Sequence, residues 1–179
     1  MASKTVMERG ERDKPEAIRY RALFRVAHAI SAYRDPDDLF RALADEIRQA
    51  ADYEFMSLLL YDEASHNFRI QLLETRRSSG IILPSNVGRE ETISWSVYQN
   101  QKPVVIPSTL RDERFPKTIG ILRDNSILSA CFLPLTTSRR RLGAIGFGMS
   151  REHNFTSDEV DYLGLVADQV ALAAEGVDE

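Results

Sequence analysis

Cys131 is the one cysteine in a chain of 179 residues, and it is the first candidate for chemistry. A thiolate can act as a nucleophile or a metal ligand, but a single cysteine excludes an internal disulfide, a CxxC redox pair and a zinc site built on several thiolates. Cys131 lies in an uncharged stretch, with no Lys, Arg or His beside it to lower the pKa of its thiol. This pattern favours a buried structural thiol and leaves a redox or metal-dependent role as the alternative.

The other candidate motifs do not indicate catalysis. His28, His66 and His153 each lack a second His or Cys at a metal-ligand spacing. The phosphate-loop, HExxH and GxSxG patterns are absent, and the glycines at 143, 146 and 148 do not have dinucleotide-binding spacing. The arginines at 139–141 are typical of a solvated turn, although they could also meet phosphate or an acidic partner. We therefore expect a protein that is not an enzyme.

Composition narrows the class of protein further. The net charge of −4 argues against direct nucleic-acid binding, and the 43% hydrophobic content is enough for one packed domain. The longest uncharged stretch is too short to span a bilayer, and residues 1–16 lack the apolar segment of a secretory signal. We expect a cytoplasmic domain that binds neither a membrane nor nucleic acid directly.

Two helical patterns come first along the chain. Residues 1–14 are polar and aperiodic, which predicts a flexible tail. Apolar residues at spacings of three and four predict a helix over residues 20–33, and its apolar surface is wide enough to meet a second copy of the chain. A second helix is predicted to start at Asp35 and Pro36 and to end near Ala51.

A sheet is predicted after these helices. Short apolar or alternating runs indicate strands at residues 55–61, 68–72, 104–106, 126–136 and 142–149. A loop at 76–89, a short helix at 92–101 and a helical turn near Ile119 connect them. Hairpin-linked strands flanked by helices indicate an α+β fold with an antiparallel sheet.

Two local signals in the last third of the chain are specific. Gly146 and Gly148 share a strand face with Ala144, so another group can approach the backbone closely there. Thr156 and Glu159 have the spacing of a capping box, which predicts the start of a final helix that continues to about Gly176.

Taken in order, five segments resemble a GAF domain. They are FMSLLLYD at 55–62, NFRIQLL at 67–73, the stretch at 87–116, the hairpin at 126–150 and the helix that follows Phe155. The most specific features are Leu-Pro-Leu at 133–135, Leu-Gly at 142–143 and the capped helix start. The chain most resembles the GAF domains ahead of the ATPase module in bacterial enhancer-dependent transcription activators of the formate hydrogenlyase activator type.

The resemblance implies a six-stranded antiparallel sheet with the N- and C-terminal helices packed on one face and a small-molecule pocket on the other. It implies a homodimer through the terminal helices. It also implies that residues 15–176 form the domain and that residues 177–179 begin a linker to an ATPase, DNA-binding or kinase effector.

Departures from the family pattern argue against several ligands. Met149-Ser150 replace the Asn-Lys pair of cyclic-nucleotide-binding members, and Phe155 lies one residue too close to Asp158-Glu159. Bilin-carrying members place a cysteine in a loop, and the methionine sulfoxide reductases of this fold need more than one cysteine. Nitric-oxide-sensing members hold iron with a strand cysteine, but Cys131 is shifted by one residue, which turns its side chain to the opposite face.

The sequence therefore suggests a regulatory domain that binds an unidentified small molecule and dimerises. Trp95 would supply a flat apolar surface for the ligand, and Arg111 a positive charge that can donate paired hydrogen bonds to it. The expected ligand-binding residues are Ser94, Trp95, Tyr98, Arg111, Asp112, Phe115, Ser129 and Cys131. A metal- or redox-dependent gas sensor or enzyme using Cys131, and a purely structural dimeriser, are the alternatives. No cofactor is predicted.

Overall fold

The computed structural model describes residues 35–50, 53–75 and 89–177, and the chain divides into two units, Met1–Ala51 and Asp52–Glu179. In the first unit helix α1 spans Pro36–Ala50. It begins where the sequence predicts, since Asp35 Oδ1 accepts from the Asp38 amide at 3.3 Å. The predicted tail and the predicted helix at 20–33 lie outside the described residues.

The second unit is built on one antiparallel sheet. Its strands are β1 (Phe55–Asp62), β2 (Asn67–Thr75), β3 (Val104–Ile106), β4 (Ser129–Thr136) and β5 (Arg141–Met149). They pair in the order β2-β1-β5-β4-β3. The expectation of six strands is wrong for the described part of the chain, which has five. The sixth strand came from the family resemblance, whereas the apolar patterns in the residues themselves indicate five.

Three helices accompany the sheet: α2 (Ile93–Asn100), α3 (Pro116–Asp124) and α4 (Ser157–Val177), with a 3-10 turn at Arg89–Glu91 before α2. Thr92 caps α2 by accepting from the Trp95 amide at 3.1 Å. The predicted capping box of α4 is confirmed, because Thr156 Oγ1 accepts from the Glu159 amide at 3.1 Å and Glu159 accepts in return from the Thr156 amide at 3.4 Å.

Helix α4 covers one face of the sheet. It packs on β4 and β5, and Leu133 of β4 lies beside Gly164 of the helix. Paired residues of neighbouring antiparallel strands share a face, so Phe147, which pairs with Cys131, lies on this face too. Cys131, Leu133 and Phe147 are almost completely buried. This face is therefore closed by the chain's own helix.

The opposite face carries an apolar cluster under α2 and α3. Its buried members are Phe55, Ile93, Val97, Ile106, Ile119, Leu122, Ile127, Ala130, Phe132 and Ala144. The small-residue strip predicted on β5 is where this cluster meets the sheet: a Cβ on Gly146 would lie 2.6 Å from the Phe132 ring, and one on Gly148 2.9 Å from Ile127. The side chains that approach the glycine backbone are thus the chain's own.

Candidate ligand-binding site

Four aromatic side chains form a second group on the face under α2, which we call the aromatic cluster: Tyr61, Phe68, Trp95 and Tyr98. Trp95 stacks on Tyr98 with ring centroids 5.6 Å apart, and Tyr61 lies 4.7 Å from Tyr98. Phe68 meets Tyr98 edge-on at 5.9 Å. All four rings are half-buried, in contrast to the dry apolar cluster. They give a half-exposed apolar surface that also carries hydroxyl groups.

Strand register and helix spacing bring these rings together. Tyr61 at the end of β1 pairs with Phe68 at the start of β2, so both side chains leave the same face of the hairpin. Trp95 and Tyr98 are three residues apart in α2, which puts them on one side of the helix. The hairpin and the helix each supply two rings.

Arg89 completes the cluster with a positive charge. Its guanidinium carbon lies 4.1 Å from the centroid of the Trp95 ring, within the range of a cation–π contact. Nη1 donates to the Tyr61 hydroxyl at 3.1 Å and to the His66 carbonyl at 2.8 Å. Nη2 donates to Glu90 at 3.0 Å. Arg89 therefore ties the turn before α2 to the tip of the β1–β2 hairpin.

The Arg89–Glu91 turn is also tied to α3. Lys117 Nζ lies 2.7 Å from Glu91 Oε1. The same short turn thus contacts the hairpin through Arg89 and the other helix on this face through Glu91.

The pKa is shifted in opposite directions for Tyr98 in the aromatic cluster and for Glu90 beside it. Burial, and then the neighbouring Tyr61, raise the pKa of the Tyr98 phenol, so this hydroxyl stays neutral at physiological pH. A hydrogen bond from its own backbone amide and one from Arg89 lower the pKa of Glu90. Glu90 is therefore an ionised, exposed partner of Arg89.

A separate polar groove holds two other predicted ligand residues. Arg111 and Asp112 line a groove of about 400 Å³ with Ser108, Glu152 and His153 among its other walls. Ser108 donates to Glu152 at 2.5 Å, and Arg111 lies 3.8 Å from the same carboxylate.

The polar groups of this groove already have partners within the chain. Arg114 lies 2.6 Å from Asp112, and its hydrogen bonds lower the pKa of that carboxyl. His153 Nε2 lies 2.8 Å from Glu159. A ligand in the groove would have to displace these internal partners.

The polar groove and the aromatic cluster lie at opposite ends of β5. Leu60, next to Tyr61, pairs with Gly143 near the start of that strand, whereas Glu152 follows its end at Met149. Six residues of strand between 143 and 149 correspond to roughly 20 Å. The two regions therefore cannot share one small ligand.

The remaining predicted residues occupy other places. Ser94 is buried in α2. Phe115 precedes α3 with a φ of 49° and packs against the apolar cluster. Ser129 and Cys131 lie on the opposite face of the sheet, under α4, where Ser129 Oγ donates to the Arg151 carbonyl at 2.7 Å. The eight predicted residues thus do not line one pocket, because the parity of β4 turns Ser129 and Cys131 away from Trp95.

The Cys131 environment is unfavourable for thiolate chemistry. Burial, with a further contribution from Glu159, raises the pKa of the Cys131 thiol to about 12. Within residues 35–50, 53–75 and 89–177, no group of three or more His, Cys, Asp or Glu side chains is arranged to hold a metal ion. Across the same residues, no helix has the length and apolar character needed to cross a membrane.

Sequence reasoning missed Tyr61, Phe68 and Arg89. A usable signal exists for the first two, since they are aromatic residues that flank a four-residue turn and so face the same way in a hairpin. Arg89 carries no comparable signal, because its contact with Tyr61 spans 28 residues of sequence.

Comparison with protein families agrees with this architecture. The GAF domain family model matches residues 34–175. The chain belongs to the GAF domain family. This GAF domain is similar to the formate hydrogenlyase transcriptional activator FhlA of Escherichia coli K12, with 24% identity over 165 residues that cover 89% of this chain and 24% of FhlA. The activator HyfR of the same organism is 23% identical over 164 residues, with the same coverage. The chain thus spans about a quarter of the length of these curated relatives.

Solved structures show the same fold. The GAF domain of an Acinetobacter phosphoenolpyruvate-protein phosphotransferase has a TM-score of 0.70 at 15% identity and covers 89% of this chain and 93% of that one. Free methionine-R-sulfoxide reductase from Neisseria meningitidis has a TM-score of 0.71 at 16% identity, with 93% of each chain covered. The GAF domain of A. aeolicus nlh2 has a TM-score of 0.67 at 12% identity, with 90% of this chain and 98% of that one covered. These likenesses, at 12–16% identity, show the shared fold.

Proposed function

We propose that this GAF domain is the ligand-sensing and dimerisation module of a bacterial signalling protein or transcriptional activator. The observation that carries the sensing half is the aromatic cluster with Arg89, a half-exposed apolar surface that carries one charge. Small-molecule sites combine apolar walls with a few placed polar groups in this way. Trp95 and Tyr98 of the predicted ligand-binding residues belong to this cluster. The similarity to a transcriptional activator supports a role in regulating transcription.

A ligand at the aromatic cluster would act by shifting a population between two packings of the terminal helices. Helix α4 would carry that shift out of the domain, toward an effector such as an ATPase, a DNA-binding domain or a kinase. The ligand needs a different affinity for the two packings, since equal affinity would shift nothing.

Trp95 allows a direct test of sensing, because it is the one tryptophan of the chain. We expect a thermal-shift screen of metabolites, followed by native mass spectrometry, to find a compound that also changes Trp95 fluorescence. Tyr98→Ala should weaken its binding, whereas Tyr53→Phe, on the far face against Phe147, should leave it unchanged. If neither method finds a compound that binds, the proposal that this domain senses a ligand is wrong.

The dimerisation half is supported by an apolar stripe on α4. Leu165 and Leu172 are seven residues apart on one side of the helix and are 49% and 55% exposed. Large apolar side chains repeated at this spacing are typical of helix–helix seams. We propose that they pair with a second copy, together with the helix that the sequence predicts over residues 20–33.

A charge placed in this stripe should separate the protomers. The double variant Leu165→Glu/Leu172→Glu is expected to sediment as a monomer, because each protomer would bury two carboxylates in the seam. Leu110→Glu is the matched control, since Leu110 is 57% exposed but lies outside α4. Analytical ultracentrifugation distinguishes them, and an unchanged dimer mass in the double variant would contradict the assignment.

A further inference from the structure

Arg89 is held in a way that leaves one nitrogen of its guanidinium without an acceptor. Nη1 is occupied by two protein acceptors, the Tyr61 hydroxyl and the His66 carbonyl. Nη2 has the Glu90 carboxylate, whose side chain is 69% exposed. Nε is shielded from solvent and has no hydrogen-bond partner among the described residues. On the Nε–Nη2 edge, the Glu90 carboxylate therefore accepts from Nη2 and no described residue accepts from Nε.

That edge has the geometry of a carboxylate site. Nε–H and one Nη2–H point in parallel, and a carboxylate accepts both in a bidentate pair. An unpaired buried donor is costly, so a ligand that also reaches Nε satisfies a group that the folded chain leaves unpaired. Glu90 follows Arg89 directly in sequence, and it makes one bond at 3.0 Å where a free carboxylate would make two.

The surroundings of this edge are aromatic. The guanidinium lies over Trp95, and Tyr61 bonds to its other nitrogen. A carboxylate at Arg89 therefore brings the rest of its molecule against the aromatic cluster, where a planar ring gains offset or edge contacts. A small anion without an apolar body would use the charge alone.

Resting on the sensor function proposed above, we propose that Arg89 binds the carboxylate of a small aromatic acid and that Glu90 is the internal competitor for the same edge. Ligand binding exchanges Glu90 for the ligand at Nη2 and adds a bond at Nε. Release of Glu90 removes a hydrogen bond between two residues of the Arg89–Glu91 turn and so makes the turn less rigid. Glu91, two residues from Arg89, passes that change to α3 through Lys117.

Benzoate is the probe, and Trp95 fluorescence with isothermal calorimetry is the readout. Benzoate should bind, and benzamide, the neutral isostere, should bind at least about tenfold more weakly, because a charged hydrogen-bonded pair is lost. Inorganic phosphate should bind more weakly than benzoate. Equal affinity for benzoate and benzamide, tighter binding of phosphate, or no benzoate binding at all would overturn the proposal.

Variants separate the competitor from the binding residue. Glu90→Gln should tighten benzoate binding about two- to fivefold, the range of an exposed ion pair, whereas the control Glu113→Gln, an exposed charge elsewhere, should not. Arg89→Gln should weaken binding about tenfold or more. Arg89→Lys keeps the charge without the fork and should weaken it as well, which covers the case in which Arg89→Gln unfolds. Arg123→Gln on α3 is the matched arginine control.

The outcomes also distinguish this inference from the sensor function. If a compound from the metabolite screen binds and its affinity is the same in Arg89→Lys and the native chain, the carboxylate assignment fails and the sensor function stands. If Glu90→Gln and Glu113→Gln bind benzoate alike, Glu90 is not the competitor. If neither benzoate nor any screened compound binds, both proposals fail.

Discussion

The two faces of the sheet are built from similar residues but differ in how they meet the rest of the chain. Under α4, Cys131, Leu133 and Phe147 are sealed by a long helix. Under α2 and α3, the apolar cluster is also buried, but the aromatic cluster at the end of β1 is half-exposed and has Arg89 against Trp95 and Tyr61. A closed face contributes stability, whereas a half-open one leaves surface for binding, so the end of the sheet near Tyr61 is where we propose that a ligand binds.

Truncating one ring on each face measures this contrast most directly. Phe147→Ala should destabilise the fold by about 3–5 kcal/mol, because it opens a cavity in a fully buried site. Phe68→Ala should cost about 1–2 kcal/mol, since that ring is half-exposed before the change. Urea denaturation measures both, and similar costs for the two variants would mean that the aromatic cluster is part of the core.

Replacing a glycine of β5 with alanine tests how closely neighbouring atoms approach the strand backbone. A Cβ on Gly143 would lie 1.9 Å from the Leu59 carbonyl oxygen, so β1 and β5 would have to separate. We expect Gly143→Ala to cost about 3 kcal/mol or more, as severe overpacking does.

Two other glycines serve as references for that substitution. Gly146→Ala meets side chains, the Phe132 ring and the Ser57 hydroxyl, which can shift, so about 1–2 kcal/mol is expected. A Cβ on Gly164 in α4 would lie 3.9 Å from Leu133, an ordinary contact distance. Gly164→Ala should therefore stabilise the helix by about 0.5–1 kcal/mol. A Gly143→Ala variant as stable as Gly146→Ala would contradict the backbone clash.

The Cys131 thiol predicts a pH dependence for the closed face. Its pKa is raised by burial from 9.0 to about 12 in the folded chain, so the neutral thiol is favoured there. The resulting stability is fully present below pH 9 and is lost as the pH rises toward 12, by up to about 1.4 kcal/mol per pH unit.

Denaturation curves at increasing pH measure this loss, with Cys131→Ala as the variant that lacks it. At pH 8 the native thiol should also resist a disulfide reagent that modifies the unfolded chain completely. Rapid modification of the folded chain would show that α4 does not seal this face.

The smallest expected loss of stability belongs to the half-open face. Tyr61→Phe removes the acceptor of one Arg89 hydrogen bond and should cost about 0.5–1.5 kcal/mol. Tyr98→Phe keeps the same ring stack and serves as the matched control. Equal stability of the two variants would mean that the bond to Tyr61 contributes nothing measurable to the anchoring of Arg89.

Local patterns predicted the elements well because their causes are local. The Thr156–Glu159 capping box lies within four residues of sequence, and its hydrogen bonds are those that the motif predicts. The helix near Ile119 is longer than the single turn expected, since packing of Ile119 and Leu122 into the apolar cluster stabilises residues that have only a weak pattern. The grouping of the eight ligand residues was not predictable in this way.

The sequence by itself determined the strand and helix types, the burial of the one cysteine and the membership of the GAF family. Tertiary structure alone decided which side chains meet. Antiparallel register assigns each strand residue to one face, and a shift of one position reverses the assignment, which put Cys131 under α4 and Phe132 under α2. The contact between Arg89 and Tyr61 likewise depends on how the hairpin and the turn before α2 pack together, which no short stretch of sequence encodes.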